Sequence, residues 1–275
     1  MLRFQEYAPA ALLRPYVHSF WTLECDANGR EAGSVFRFIP DGHPEWLFHL
    51  GARTGFRFKS SQQVTHSAAH FLGHFNGHID LHVPAEGMHL LGVKFWPWAA
   101  HHFWQGTMQA YTDAVADLAA ATPHHAALAE QLPACTNTQA RIALLENFLI
   151  QQLKAPISEE LLHYFQTLQT ADADFRLDAL QTHSSVSKRR LQQIFSDKVG
   201  LSPKQIHRIY RIRQAVQHMA QQPQESLTQV AYRFHFYDQS HFTREFKAFT
   251  GFAPKWFQTH LNPTNGMLNF TVDAA

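Results

Sequence analysis

The sequence predicts a multidomain protein with two folded parts. Residues 1–155 are expected to form a β-rich domain of the barrel or sandwich type with added helices, and residues 156–262 an all-α domain with two helix-turn-helix units. Residues 263–275 are expected to form a C-terminal tail. Short segments rich in Val, Phe and Trp fill the first half between Gly and Pro residues, whereas helical periodicity dominates the second. A chain of 275 residues is long enough for two domains with separate cores.

The composition indicates a globular protein of the cytoplasm. The chain is 45% hydrophobic and 16% charged, which is typical of a folded protein. Its apolar runs are all shorter than the roughly 18 residues that a membrane span needs, and its first residues lack the apolar centre of a signal peptide. Two cysteines, Cys25 and Cys135, fit a reducing compartment without a disulfide framework.

The charge is distributed unevenly along the chain. Residues 1–157 contain 10 Lys and Arg against 12 Asp and Glu, a balance of −2. Residues 175–260 contain 13 against 5, a balance of +8. This asymmetry makes the C-terminal part the candidate for binding a polyanion, although a solvated basic surface would show the same count.

Seven segments of the N-terminal half are predicted strands, because β-branched and aromatic residues alternate there with turn signals. Pro40-Asp41-Gly42 is a strong turn signal between two of them. The predicted strands are 22–25, 34–40, 45–50, 56–59, 63–68, 78–84 and 88–96. Many short strands at even spacing favour a barrel or a sandwich.

Two helices are predicted after the strands. Tyr111 to Ala121 is rich in Ala, and Gln139 to Leu153 has an apolar face and can be capped by Asn137 or Thr138. The second of these helices can serve as a dimerisation surface or simply cover the β-domain core. A single amphipathic helix more commonly covers the core of its own domain than forms a dimer contact.

Histidines are unusually frequent in the first half, with 13 of the 20 before residue 126. His70, His74, His78 and His82 recur every four residues, so a transition-metal site is one hypothesis. Gly73 and the glycine at 77 indicate strand and turn, however, and neither cysteine nor carboxylate stands beside the run at a recognised ligand spacing. Solvent-facing or locally hydrogen-bonded histidines are therefore favoured, and no cofactor is expected.

The sequence lacks the common catalytic motifs. It has no Gly-x-Ser-x-Gly elbow, no phosphate-binding Gly-rich loop and no His-Glu-x-x-His motif. Asp41 and Glu45 could form an acid–base pair with a histidine, but polar residues beside a turn are usually structural. No enzymatic activity is expected. Aromatic residues could instead line an apolar pocket; the candidates are Phe36, Phe38, Trp46, Phe48, Phe95, Trp96 and Trp98.

The C-terminal half begins with an amphipathic helix that Ser158 can cap, running to about Leu168. A first helix-turn-helix unit follows, with a helix over 177–183, a turn over 184–186 and a second helix that begins after Ser187. Gly200 ends that helix, and Pro203 begins a long one that reaches about residue 221.

A second unit follows with the same layout. Ser226 can cap its first helix and Asp238 its second, in which Phe242, Phe246 and Phe249 share one face. Ser187 to Pro203 reads S-x3-L-x3-F-x4-G-x2-P, and Asp238 to Pro254 reads D-x3-F-x3-F-x4-G-x2-P. The identical apolar, Gly and Pro offsets indicate an internal repeat of one supersecondary unit.

The segment LTQVAYRFHFYDQSHFTREFKAFTGFAP resembles the second-unit signature of the AraC/XylS family of transcription regulators, and the resemblance covers roughly Ile157 to Leu261. It implies a DNA-binding domain in which a long helix joins two helix-turn-helix units. By this resemblance the base-facing residues are Arg189, Gln192, Gln193, Gln239, Ser240 and Arg244. The residues nearer the phosphates are Lys188, Arg190, His241 and Lys247. His235 occupies a turn position that is usually Gly, so a positive φ is expected there.

The N-terminal half resembles, more weakly, a poorly characterised β-rich sensor domain of such regulators, through PDGHPEWLFHLG and LLGVKFWPWAAHHFWQGT. Together the two resemblances imply a cytoplasmic, homodimeric transcription activator that binds double-stranded DNA and contacts no membrane. RNA polymerase and an unknown small-molecule effector are the further partners they suggest. A metal-responsive regulator using the histidine run is the alternative. A methyl-transfer repair enzyme with the same double unit would need a reactive-cysteine motif, which neither Cys25 nor Cys135 shows.

Overall fold

The structure, a computed structural model, describes residues 2–27, 34–58, 61–63, 67–170, 180, 186–260 and 269–272. These residues contain eleven strands and eight α-helices. The strands are β1 Leu2–Tyr7, β2 Val17–Asp26, β3 Val35–Phe38, β4 Glu45–His49, β5 Gly55–Phe58, β6 Ser61–Gln63, β7 Ala69–Leu72, β8 Ile79–His82, β9 Gly87–Phe95, β10 Val115–Asp117 and β11 Asn269–Val272. The helices are α1 Pro123–Ala134, α2 Thr138–Gln152, α3 Glu159–Thr170, α4 Lys188–Lys198, α5 Pro203–Gln221, α6 Leu227–Arg233, α7 Gln239–Thr250 and α8 Pro254–His260. Within the described ranges, no helix is both long and apolar enough to cross a bilayer.

The strands form two antiparallel sheets, as the even spacing of short segments predicts. The first sheet has the order β1-β2-β9-β4-β7-β10, and the second has the order β11-β3-β8-β5-β6. Apolar residues from both sheets meet in one cluster that includes Trp21, Phe56, Leu81 and Leu90. Because side chains alternate along a strand, Leu47 of β4 joins this inner cluster whereas its neighbour Trp46 points to the opposite face.

Helices α1 and α2 cover the outer face of the first sheet. Ile142, Leu145 and Leu149 of α2 are buried in the same apolar cluster as Trp46 and Phe95 of the sheet. The Asn137 side chain caps the helix by accepting the backbone N–H of residue 140, as predicted. These apolar residues of α2 are therefore part of the core of their own domain.

The helix predicted for Tyr111 to Ala121 is wrong. This segment leaves a short 3-10 turn at Tyr111, adopts a positive φ at Asp113 and then forms β10. Asp113 uses both carboxylate oxygens to accept hydrogen bonds from Asn76, which fixes the reversal of the chain. Pairing with the edge of β7 then overrides the helical propensity of the alanines.

The C-terminal domain is built on the long helix α5. Buried residues of α5, such as Ile206, Ile212 and Val216, share one core with Leu191 and Phe195 of α4. Phe242, Phe246 and Phe249 of α7 enter that same core, so both units pack on one central helix. The predicted first helix at 177–183 and turn at 184–186 lie mostly outside the described residues; Leu180, which is described, is buried in this core.

The caps predicted at Ser187, Ser226 and Asp238 form in the structure, and Ser202 provides a further cap. The side chains of Ser187 and Asp238 accept the backbone N–H three residues on, at the start of α4 and α7. Ser202 and Ser226 form complete capping boxes with a glutamine three residues later. The short polar residues thus set the register of the helices in both units.

Part of the predicted C-terminal tail belongs to the N-terminal domain. Residues Asn269–Val272 form β11, which pairs in antiparallel register with β3 and lies at the edge of the second sheet. The end of the chain therefore returns from the helical domain to the sandwich.

His235 has the positive φ that the sequence predicts, at +57°. It follows α6 in the turn of the second unit, where Arg211 of α5 donates a hydrogen bond to its carbonyl oxygen at 3.3 Å. The Arg211 guanidinium also lies over the ring of the next residue, Phe236, at 4.3 Å from the ring centroid. The tertiary structure thus holds a non-glycine residue in a left-handed conformation.

We expect His235→Gly to be more stable than His235→Ala by about 1 kcal/mol, because both variants lose the imidazole and only alanine has a Cβ that strains the left-handed backbone. Urea denaturation of the two variants measures this difference. At Gln214, an exposed position inside α5, the order should reverse, with glycine the less stable by about 1 kcal/mol. Equal stability of the two His235 variants would contradict the account of this turn.

Candidate nucleic-acid interface and effector cavity

Helix α4 presents its predicted contact residues to solvent. Its apolar side chains Leu191 and Phe195 are buried, and the polar face that remains is open. All five predicted contact residues of this helix are exposed: Lys188, Arg189, Arg190, Gln192 and Gln193. Ser187 fixes the start of the helix, so these side chains project from a defined register.

Helix α7 presents an equivalent face. Gln239, Ser240, Arg244 and Lys247 are exposed, while Phe242, Phe246 and Phe249 are buried on the other side. His241 is half-buried, and its Nδ1 accepts the backbone N–H of Tyr237 at 3.4 Å. His241 therefore also stabilises the turn, which the sequence did not indicate.

Two of the predicted base-facing glutamines already have partners in the protein. The Gln193 amide donates to both carboxylate oxygens of Asp197, at 2.7 and 2.8 Å. The amide oxygen of Gln239 accepts the Thr228 hydroxyl at 2.6 Å. Each amide must exchange this partner before it can read a base.

Two exposed aromatic residues lie beside α7 and were missed from the sequence. Tyr237 is 87% exposed in the turn before the helix, and Tyr232 of α6 is 64% exposed. Tyr237 directly precedes the Asp238 cap of α7, and Tyr232 lies in the preceding helix of the same unit, so both are added to the candidate interface.

A cavity of about 600 Å³ lies between the two sheets of the N-terminal domain and is closed on one side by α5. Its apolar wall comes from both sheets and includes Trp21, Phe56 and Leu81. From α5 it receives Arg213, Gln217, Ala220 and Gln221, which lie on one face of the helix at helical spacing. The cavity is therefore shared by the two domains.

Charged residues gather at the end of this cavity. The Lys94 ammonium of β9 lies 2.8 Å from an Asp41 carboxylate oxygen, 3.7 Å from Glu6 and 3.8 Å from Glu45. Arg213 of α5 donates a hydrogen bond to the Asp41 carbonyl oxygen at 3.0 Å. Asp41 thus binds a cation from each domain.

The surroundings of these groups shift their pKa values. Burial disfavours the ionised form of Asp41, yet Lys94 and His43 hold the pKa of Asp41 well below its usual range. Burial raises the pKa of Glu45 to about 8, and Lys94 offsets only part of that effect. Burial would lower the pKa of Lys94, but the neighbouring carboxylates raise it. At neutral pH Asp41 and Lys94 are ionised, and Glu45 is mostly protonated.

Further contacts join the two domains around the cavity. The Thr112 hydroxyl donates to the carbonyl oxygen of Gly200 at 2.5 Å, at the end of α4. The Arg37 guanidinium lies over the ring of Phe252 at 4.9 Å, at the end of α7. The equivalent ends of both units therefore rest on the N-terminal domain, while their polar faces remain exposed.

The histidine run does not converge on one point. His70 is buried on β7 beside His49, whereas His74 lies in the wall of the cavity and His82 is on β8. Among the residues that the structure describes, no group of three or more His, Cys, Asp or Glu side chains could hold a metal ion, so His78 and the other three do not form a ligand set there. Burial lowers the pKa of His70 to about 4 and that of His74 to about 3, which leaves both rings neutral near pH 7.

The predicted pocket aromatics are mostly core residues. Of the seven candidates only Phe38 lines the cavity, because the inner face of the sandwich selects the alternate residues of each strand. Trp46, Phe48 and Phe95 lie under α1 and α2 instead. Trp96 and Trp98 stack on each other at 4.9 Å.

We expect the raised pKa of Glu45 to make stability depend on pH between the unfolded and folded pKa values of this group. Between about pH 5 and 8 the folded protein binds a proton at Glu45 that the unfolded chain has lost, so the free energy of unfolding falls as pH rises. In Glu45→Gln the free energy of unfolding should fall less steeply with pH. In Glu24→Gln, which changes a carboxylate outside the cavity, it should fall as in the wild type. Urea denaturation across this range measures the effect; equal slopes in wild type and Glu45→Gln would contradict it.

Comparisons with known proteins find two family models that match separate parts of the chain. A family model described as "Helix-turn-helix domain" matches residues 180–260, and one described as "Domain of unknown function (DUF6597)" matches residues 5–117. No significant match to a functionally curated protein is found.

Two solved structures of ToxT from Vibrio cholerae are similar to the chain. One, in a P21 crystal form, is 10% identical, with 93% of this chain and 98% of that chain covered and a TM-score of 0.48. The other, with a bound unsaturated fatty acid, is 12% identical, with 85% and 93% covered and a TM-score of 0.45. From its family matches and its own sequence signature, the chain combines an AraC-type helix-turn-helix domain at residues 180–260 with an N-terminal domain of a family of unknown function.

Proposed function

We propose that the protein is a sequence-specific DNA-binding transcription regulator that reads two successive major grooves with α4 and α7, and that a small molecule in the interdomain cavity modulates this binding. The observation that carries the proposal is the pair of capped helices with equivalent exposed polar faces, both packed on α5. The resemblance to AraC/XylS regulators further supports a cytoplasmic, homodimeric activator that contacts RNA polymerase.

The exposed residues have the chemistry that DNA reading requires. Arg189 and Arg244 can each form a bidentate pair with guanine, and Gln192 can form one with adenine. Lys188 and Lys247 are suited to phosphates, which they contact as point charges. The balance of +8 over residues 175–260 supplies the long-range attraction to a polyanion.

The effector part of the proposal rests on the position of α5. One face of this helix packs on both units, and another face, with Arg213 and Gln217, closes the cavity. A ligand that changes the contact between Arg213 and Asp41 changes the placement of α5 on the sandwich. Since both recognition helices pack on α5, such a change alters their relative position, and the ligand and DNA are thermodynamically coupled.

The recognition-helix assignment predicts a base-specific loss for Arg244→Ala. Binding to a selected DNA site should weaken by about 1–3 kcal/mol and specificity should relax at one base pair, because a bidentate contact to guanine is lost. Fluorescence anisotropy with single-base variants of the site measures both effects. Arg53→Ala, an exposed arginine of the N-terminal domain, is the matched control. Unchanged affinity and base preference in Arg244→Ala would contradict the assignment.

The phosphate assignment predicts a different pattern for Lys188→Ala. This variant should weaken binding to all sequences alike and reduce the slope of log affinity against log salt by about one, because one fewer counterion is released. Affinities at several salt concentrations measure the slope. A loss confined to one DNA sequence would show that Lys188 reads a base instead.

A further inference from the structure

We propose that the interdomain cavity binds an amphipathic organic cation, an amine whose ammonium group lies beside Glu45 and whose apolar body lies against the aromatic wall. This inference rests on the proposed function, because it names the chemical class of the effector. It follows from the charged groups at the end of the cavity, from the aromatic rings that line it and from the buried ring of His74 in its wall.

Carboxylates outnumber cations in the lining of the cavity. Its acidic residues are Glu6, Asp41 and Glu45, and its basic residues are Lys94 and Arg213. Lys94 forms its short contact with Asp41 at 2.8 Å, and its distances to Glu6 and Glu45 are 3.7 and 3.8 Å, beyond a hydrogen bond. Arg213 donates to the backbone carbonyl oxygen of Asp41 and lies 3.9 Å from its carboxylate. Lys94 is therefore paired most closely with Asp41, and its contact with Glu45 at 3.8 Å is longer.

The three histidines of the lining add no positive charge near neutral pH. Burial lowers the pKa of His18 to about 4, that of His74 to about 3 and that of His43 below its usual value. An anionic ligand would have to compete with Asp41, whose oxygens contact both Lys94 and Arg213. A cationic ligand can instead pair with Glu45, whose carboxyl group gives up its proton on binding.

Glu45 is placed to accept such a ligand. The side chain of Glu45, at the start of β4, is 19% exposed and lines the cavity. Burial keeps the carboxyl mostly protonated, because Lys94 at 3.8 Å offsets only part of the burial effect. An ammonium group at this position takes the place of that proton, so binding near neutral pH releases a proton from Glu45.

The groups that line the cavity with Glu45 come from several elements and determine whether Glu45 releases its proton. These titratable or polar residues include Glu6 of β1, His18 and Trp21 of β2, Asp41 and His43 of the turn region, His74, Lys94 of β9 and Arg213 of α5. Asp41 and Glu6 raise the pKa of Glu45, and Lys94 lowers it. Since the histidines are neutral near pH 7, Glu45 is the group that titrates there.

Aromatic rings supply the rest of the site. Phe4, Trp21, Phe38, Phe56 and Phe75 line the cavity. The electron-rich faces of such rings attract cations and pack against an apolar body. A volume of about 600 Å³ suits a small organic molecule. This wall favours an amine with an aryl or alkyl chain over a small hydrated ion.

A buried polar group points independently to a ligand. His74 is 3% exposed and lines the cavity, and among the described residues neither of its ring nitrogens forms a hydrogen bond of normal geometry within 3.5 Å. Buried polar atoms are normally satisfied, so this ring is suited to bind a polar group of the occupant. The lining therefore offers a hydrogen-bonding ring at His74 as well as the carboxyl group of Glu45.

Three compounds with the same body and different charge test the inference by titration calorimetry on the full chain: 4-phenylbutylamine, 4-phenylbutanol and 4-phenylbutyrate. We expect the amine to bind at least 10-fold more tightly than the alcohol, and the butyrate more weakly than either. Titrations near pH 7 in buffers of different ionisation enthalpy should show proton release with the amine and none with the alcohol. DNA affinity, measured with and without the amine, should change on binding.

Glu45→Gln isolates the ion pair. This variant should reduce amine affinity by 10-fold or more, abolish the proton release and leave binding of the alcohol unchanged, which also shows that the cavity is intact. Glu24→Gln, a carboxylate outside the cavity, should bind all three compounds as the wild type does.

Other outcomes overturn the inference in distinguishable ways. If the butyrate binds most tightly and changes DNA affinity, the cavity is the effector site but its ligand is an anion. If the alcohol binds as tightly as the amine, the ion pair plays no part in recognition. If none of the three binds, the cation site is wrong, while DNA reading is decided separately by the Arg244 variant.

Discussion

The Asp41 turn is the constraint on which the arrangement of the two domains depends. Its carboxylate binds Lys94 of the sandwich at 2.8 Å, and its carbonyl accepts a hydrogen bond from Arg213 of α5 at 3.0 Å. Gly42, with a φ of +82°, lets the turn lie against Ile209 and Tyr210 of the same helix. A buried carboxylate with two cationic partners is stable only while all three are in place, so this contact can transmit the state of the cavity to α5.

Helix α5 explains why one contact can matter for both reading units. It is the shared core element of the helical domain, and its polar face closes the cavity in the sandwich. The ends of α4 and α7 rest on the N-terminal domain through Gly200 and Phe252, whereas their polar faces remain exposed. The fold thus separates the surface that reads DNA from the surface that couples the domains.

Sequence reasoning succeeded where the signal is local. Caps at Ser187 and Asp238, the ends of helices at Gly200 and Gly251, and the positive φ of His235 all follow from single residues at fixed offsets. It failed where tertiary pairing decides the outcome. Strand pairing turned the Ala-rich segment after Tyr111 into β10, and the return of the tail as β11 has no local signal. The charged end of the cavity was missed because its residues are far apart in sequence, and only the fold brings Lys94 and Arg213 to Asp41.

The central claim is that one chain reads DNA with two helices. Selection of bound fragments from a pool of random or genomic DNA tests it most directly. If both helices read DNA, the enriched fragments should share two sequence segments on one face of the duplex. The centres of these segments should lie about one helical turn apart, which is roughly 10 base pairs. Enrichment of a single short segment would show that one of the two units does not read bases. Fragments without any shared sequence would contradict the claim altogether.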